Sequence, residues 1–409
     1  MKTSPLTRLA FAASAVAACL LPAHGQVSVS GGVMTVSVGP VSLNSKFIVG
    51  PAIGAVQLFQ VPGAGDGQTF TGIRAIRVFS GAGTDQLDFE ITQAANFEVF
   101  ADTGPSDAQV QVKWIIPATT ATLNPKLTLN TGAGQKKIQV DLESFAANVD
   151  FDWTFNAGAG NAEVKGQVEF KEGSRNATAD LALNLSSAAD KVELIVDSLA
   201  DNLRLDVIGR GTDSINTKVL ADDRGTNLDV LFDVTGDAGG NMYAFEMASA
   251  VPNVWLDFLV GGAPAPDEIK LAMVQLVPGN IRSSLNGNLG LVADKVELLY
   301  DGVPSALRLT GTLDAGGGND EIKLNSGFNT TSSLQIRGGD GNDLVNAEIK
   351  GSLNSIGTAP LRLLGGNNDD ILMIKAEGGS LGSPSVVDGG PGFDIGSGPG
   401  LVINCEIIN

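Results

Sequence analysis

The chain is poor in the residues on which most enzyme chemistry depends. Its 409 positions hold one histidine and two cysteines, and aromatics make up only 5%. The histidine, His24, and one cysteine, Cys19, fall in a segment expected to be removed. Lys2 and Arg8 open the sequence, an apolar run from Leu9 to Leu21 follows, and Ala23-His24-Gly25 sets small residues before a cleavage point. Residues 1–25 therefore read as a signal peptide, and the mature chain is expected to be secreted or displayed at the cell surface. Val16-Ala17-Ala18-Cys19 also has the shape of a lipoprotein processing site, which would anchor the chain through Cys19. Without the leader no histidine remains and Cys405 is alone. A Ser-His-Asp triad, a Cys-His dyad, a His-bound zinc and an internal disulfide are excluded by inventory.

Positive charge is scarce too. Once Lys2 and Arg8 leave, 24 basic residues face 45 acidic ones, a balance of −21. Such a surface repels nucleic acid and anionic membranes and attracts cations. No apolar run beyond the leader is long enough to cross a bilayer, so no transmembrane segment is expected. No stretch outside the leader has helical periodicity.

Glycine, by contrast, is abundant, at 52 residues, where average usage is about 7%. It recurs in units such as Gly338-Gly339-Asp340-Gly341-Asn342-Asp343, Ser80-Gly81-Ala82-Gly83-Thr84-Asp85, Gly316-Gly317-Gly318-Asn319-Asp320 and Gly389-Gly390-Pro391-Gly392-Phe393-Asp394. Gly365-Gly366-Asn367-Asn368-Asp369-Asp370 belongs with them, with Asn368 at a glycine position; asparagine is the side chain best suited to positive φ. Weaker copies fill the gaps, and the string Ala-Asp-Lys-Val-Glu-Leu occurs identically at Ala189 and Ala293. The units recur about every 26 residues from Gly83 to Gly392, the mark of a solenoid. Between them apolar residues alternate, as in Leu87, Phe89 and Ile91 or Leu203, Leu205 and Val207, so each period is filled by half-buried strands.

The expected fold is all-β: a parallel β-helix, or β-solenoid, of about thirteen or more coils of roughly 26 residues over 71–409. Each coil would hold strand, turn and strand, with room for a third short strand. Residues 26–70 are expected to supply N-terminal strands or a cap. A row of antiparallel sandwiches is the competing architecture, but the short period runs unbroken through both copies of the repeated hexamer.

Ten of the turns carry an aspartate: Asp85, Asp107, Asp190, Asp213, Asp267, Asp294, Asp320, Asp343, Asp370 and Asp394. Stacking sets them in a column, where two charges one coil apart repel by roughly 0.9 kcal/mol in water. The repulsion can be offset locally, by turn N–H groups donating to each carboxylate, or by calcium bridging neighbouring coils. Residues 338–346 resemble the haemolysin-type calcium-binding, or RTX-like, repeat, whose motif is G-G-x-G-x-D-x-U-x. The resemblance is strongest over 314–394. It implies a secreted parallel β-roll with calcium between turns, here held by Asp314, Asp320, Asp340, Asp343, Asp369, Asp370, Asp388 and Asp394. The chain departs from the family in having one unit per coil rather than tandem pairs, and an N-terminal leader.

Arg204, Arg308 and Arg362 stand mid-strand between leucines and should point outward, where they could line a sugar-acid groove or simply pair with acids. Trp153 lies on the apolar phase of its strand and reads as core. The functional expectation is a secreted, non-catalytic repeat protein of the cell surface or matrix, structural or adhesive, that binds calcium. Polysaccharide or cell-surface components are the expected partners. The alternative is a β-helical lyase or hydrolase acting on acidic polysaccharide.

Overall fold

In the computed structural model, strands stack in parallel into two long sheets that enclose one apolar core. The structure describes residues 26–408 except 40, 53, 62–64, 187–189, 212–213, 223–224, 237–239, 263–265, 304–305, 357–358 and 378–383. Residues 1–25, expected from the sequence to be a signal peptide and holding Cys19 and His24, and Asp213 in the repeats lie outside the described residues.

The parallel β-solenoid expected from the period is the fold found, with about a dozen turns of roughly 26 residues. Most coils contribute two strands; in two of them the first-sheet strand comes as two pieces, Thr122–Leu123 with Lys126–Asn130 and Leu353–Ser355 with Leu361–Asn367. One coil runs along the first sheet as Asn202–Arg210, turns, and returns along the second as Ser214–Ala221. A second turn then leads to Asn227–Thr235, directly above Asn202–Arg210. The glycine–aspartate units make the turn from first sheet to second. In the coil from Asn202 a nine-residue strand, an eight-residue strand and two short turns fill the whole period.

Strict alternation dictates which side chains go in. In Asn148–Asn156, Val149, Phe151, Trp153 and Phe155 are buried while the residues between them face out. Trp153 is therefore core, as its phase requires. Because each strand stacks in register, like side chains meet in the interior: Phe47 lies on Phe89 with ring centroids 4.8 Å apart, and Phe232, Phe245 and Phe258 form one cluster. Each fully buried large apolar side chain contributes roughly 1.5–3 kcal/mol, and the cluster is continuous from Met34 to Val387.

Residues 26–70 both begin the stack and close its N-terminal end. Val33–Ser37 and Asn44–Val49 pair in parallel with the first repeated strands, Ala75–Phe79 and Asp85–Thr92. Antiparallel neighbours are added to them by Gln26–Ser30, Val56–Phe59 and Gln68–Phe70. Among the described residues no helix is long and apolar enough to cross a membrane.

Candidate functional site

The turns that join the sheets place one residue of every coil at the mouth of the second sheet. Read by register, this column includes Asp85, Ala108, Lys136, Ala162, Asp190, Asn241, Asp267, Asp294, Asp320, Asp343, Asp370, Asp394 and Glu406. Asp107, placed in the column by spacing, stands one residue outside it, and Ala108 occupies the position; Asn241 fills the place in its own coil.

The carboxylates of the column point into the molecule. Asp294, Asp320, Asp343, Asp370 and Asp394 are 0–4% exposed. Where the chain leaves the turn, its N–H has no carbonyl opposite, and the next coil's aspartate supplies the missing acceptor. Asp267 donates to Asp294 Oδ1 at 2.8 Å, Asp294 to Asp320 Oδ1 at 2.6 Å, and Asp320 to Asp343 Oδ1 at 2.9 Å. Asp343 donates to Asp370 Oδ1 and Asp370 to Asp394 Oδ1, both at 2.9 Å. Glu406 ends the series by accepting from the N–H of Asp394 at 2.6 Å. The local offset expected of such turns is thus present, but each N–H reaches across to the neighbouring coil rather than to its own turn.

The second oxygen is the unusual one. Oδ2 of Asp294, Asp320, Asp343, Asp370 and Asp394 is buried without a hydrogen-bond partner. Glycine makes room for it: a Cβ at Gly338 would lie 2.1 Å from Asp343 Oδ2, and one at Gly365 would lie 2.2 Å from Asp370 Oδ2. Burial, with neighbouring carboxylates adding to it, pushes Asp294 and Asp370 up to about 7 and Asp320 up to about 6, against the donated N–H bonds. Asp343 and Asp394 are raised for the same first reason. Among the described residues, the charged groups that act on these five are other acids, including Asp340, Asp369, Asp388 and Glu406.

The eight residues that the repeat resemblance selects therefore fall into two sets. Asp320, Asp343, Asp370 and Asp394 are interior. Asp314, Asp340 and Asp388 are exposed or half-buried on the first-sheet strands that lead into those turns, and Asp369 is exposed in the turn itself. Asp340 Oδ1 accepts from Asn367 Nδ2 at 2.6 Å, and Asp388 Oδ1 from Asn404 Nδ2 at 2.7 Å. Asp369 Oδ1 accepts the N–H of Phe393 at 2.9 Å, and Asp314 lies 3.9 Å from Arg337. Asn368 holds φ at +84°, as its glycine position demands.

In the N-terminal coils a lysine takes the place of an aspartate. Lys136 is 2% exposed, and its Nζ donates to the carbonyls of Ser106 and, at 3.4 Å, Gly104. Burial lowers its pKa, while Asp85, Asp107 and Asp102 oppose that shift. One coil thus carries its own cation among turn carbonyls and acids.

A second acidic group lies elsewhere. Asp150, Asp152 and Asp180 bring carboxylate oxygens within 4.8 Å of one another on the outer face of the first sheet, and among the described residues they are the trio that does so. Spacing along one strand hides this group, because Asp180 meets Asp152 only through the 28-residue step of the register. Beside it runs a column of asparagines at successive strand starts: Asn176 donates to Asn148 at 2.7 Å, Asn202 to Asn176 at 3.0 Å and Asn227 to Asn202 at 2.7 Å. Its signal was in the sequence, as an Asn at 148, 176, 202, 227, 253 and 280. Arg204, Arg308 and Arg362 do point outward, and Arg204 pairs with Asp206 at 2.7 Å.

Comparison with known proteins adds no relative: no family model, no curated protein and no solved structure matches the chain.

Proposed function

We propose that the protein is a secreted, non-catalytic solenoid of the cell surface or extracellular matrix, structural or adhesive in role, which holds calcium at its C-terminal glycine–aspartate turns. The observation that carries the calcium reading is the run of five buried carboxylate oxygens without a partner, in five successive coils. An anionic oxygen in that position calls for a proton or a cation. Calcium is a hard cation that takes six to eight oxygens from carboxylates and carbonyls. Asp320, Asp343, Asp370 and Asp394 would offer the interior oxygens, and Asp314, Asp340, Asp369 and Asp388 the outer ones. Lys136 supports the reading, since the same column there holds an ammonium against turn carbonyls. When bound, calcium would neutralise the stacked acids and tie adjacent turns together.

The non-catalytic part rests on where the acids are. Those of the column lie beneath the turns, out of reach of a polymer, and work as acceptors for backbone N–H groups. One feature favours the enzyme reading: Asp150, Asp180, Arg204 and the half-exposed Trp255 share the outer face of the first sheet. A uronate polymer there would meet several carboxylates, with Arg204 already paired with Asp206 and Lys126 with Asp152.

A thermal melt with calcium and with chelator tests the proposal. Each site filled to 100 times its Kd adds about 2.7 kcal/mol, so several sites give a rise of many degrees that chelator removes. An unchanged melt, with no metal found in the purified protein, overturns the calcium reading. Unsaturated product from a uronate polymer overturns the non-catalytic one.

A further inference from the structure

The strongest feature that the aspartate column leaves unexplained is the outer face of the first sheet between Asn148 and Asp257. Two shallow depressions of about 640 and 450 Å³ lie side by side and share Asn176, Thr178 and Arg204. They form one groove across successive coils. Register sets Asp150, Thr178, Arg204, Asp229 and Trp255 in a line along it, one per coil. The hydrogen-bonded asparagine column makes one wall. Asp152, Asp180 and Asp206, also one per coil, stand on the other side.

We propose that this groove binds a glycan chain bearing free amino groups, laid along the rod axis. The inference rests on the adhesive reading for its biological role, but the binding itself stands on the groove. Charge decides the sign of the ligand. The groove and its rims hold six carboxylates, Asp150, Asp152, Asp180, Asp206, Asp229 and Asp257, against three cations: Arg204, paired with Asp206 at 2.7 Å, Lys126, paired with Asp152 at 2.7 Å, and Arg282, beside Trp255 in register. Phosphates, sulfates and uronates are repelled, and ammonium groups are attracted. The acids are not all solvated: burial raises Asp150, Asp180 and Asp229, and Asp180 Oδ1 is buried without a partner. A cation replacing water there recovers more than it would on an open surface.

Shape and polarity decide the class. The wall is a fixed row of amide groups that both donate and accept, as vicinal hydroxyls require. Trp255 is half-exposed and offers a flat apolar ring to the C–H face of a sugar. Coils about 4.8 Å apart match the length of one pyranose unit in an extended glycan, so each unit can meet the same pattern again. A polyamine or basic peptide would satisfy the charges but would leave the ring and the amide row unused.

Calorimetric titration of the mature protein with short glucosamine oligomers tests this. Saturable binding is expected, weakened about tenfold or more in Trp255→Ala, and also weakened in Asp229→Asn, which keeps the side chain's shape. Melting curves of both variants show whether they fold, and Asp257→Asn serves as a second conservative variant. Glucose and galacturonate oligomers should bind more weakly than the amino sugar. The proposal is overturned if the glucosamine oligomer does not bind, or if folded variants bind it like the parent. It is equally overturned if the glucose or uronate oligomers bind as well, or if spermine displaces the oligomer at equal charge. The calcium melt on the same sample separates the two readings. A calcium-dependent shift without glycan binding sinks only this inference, and glycan binding without a calcium shift sinks only the calcium assignment. Cleavage of the bound oligomer would sink the non-catalytic reading and leave the groove's ligand standing.

Discussion

Substituting Asp370 by asparagine isolates the cost of the orphaned oxygen. Asp370 is 1% exposed, its Oδ1 accepts the N–H of Asp343 at 2.9 Å, and its Oδ2 has no partner. Asparagine keeps the acceptor and exchanges the orphan for a neutral NH₂ group. The column already tolerates this residue, since Asn241 stands in it and donates Nδ2 to Asp267 Oδ1 at 2.7 Å. Burial holds Asp370 up to about 7 in the fold against an ordinary 3.8. The native state therefore keeps a proton that the unfolded chain releases. The stability this group lends is complete below about pH 4 and is lost as pH rises through about 7. The whole shift corresponds to about 4 kcal/mol at 1.36 kcal/mol per unit. Because Asp343 and Asp394 draw on the same protons, a single substitution should recover about 1–2 kcal/mol of it. In chelator at about pH 8, Asp370→Asn should then melt a few degrees above the parent. At about pH 4, where the parent carboxyl is neutral, the two should melt together. With calcium at about pH 8 the order should reverse, since the parent alone keeps the ligand. A variant that is less stable than the parent by the same amount at both pH values, with or without calcium, would refute the reasoning.

The remaining predictions concern the frame around the column. A Cβ at Gly341 would lie 1.7 Å from Gly318 O, at φ +138°; Gly341→Ala should cost at least about 1–3 kcal/mol, read from urea midpoints. Asn368→Gly should be neutral or mildly stabilising, whereas Asn368→Ala at φ +84° should cost about 1 kcal/mol. Asn202→Ala removes three side-chain hydrogen bonds, of 3.4, 3.0 and 2.7 Å, and should cost about 1–2 kcal/mol in the same assay. Lys136→Met takes the ammonium donor from the Ser106 carbonyl, leaves the Gly104 carbonyl with the Gly132 N–H alone, and removes a cation that acts on Asp85 and Asp107. A loss of about 1–3 kcal/mol is expected, and calcium should restore part of it if that column accepts a metal.

The fold was legible because two local signals agree. Alternation along strands such as Asn148–Asn156 fixes which residues turn inward, and the glycine–aspartate period fixes where the chain reverses. The direction of the aspartate side chains was not legible. Asp343 at the end of a glycine-rich turn could serve an outer ion or an inner N–H equally well, and only the register, which sets it against Asp320 and Asp370, chooses the inner N–H. Single-residue offsets were beyond the period as well. Asp107 and Ala108 are both plausible turn ends, and a ladder bond, the N–H of Ala108 to Gln135 O at 3.0 Å, is what puts Ala108 in line. The groove on the first sheet stayed hidden because its members come from strands 25 to 28 residues apart.

The central physical claim is that a file of aspartates lies inside the turns, each with one oxygen bonded and one unpaired. Carbon-13 labelling of aspartate carboxyls, followed by NMR titration in calcium-free buffer, tests it most directly. The account predicts a distinct set of carboxyl resonances, Asp294, Asp320 and Asp370 among them, that titrate near 6 to 7. If every aspartate in the folded protein titrates near its ordinary value of 3.8, the carboxylates face water, and the interior column and the calcium reading built on it are both contradicted.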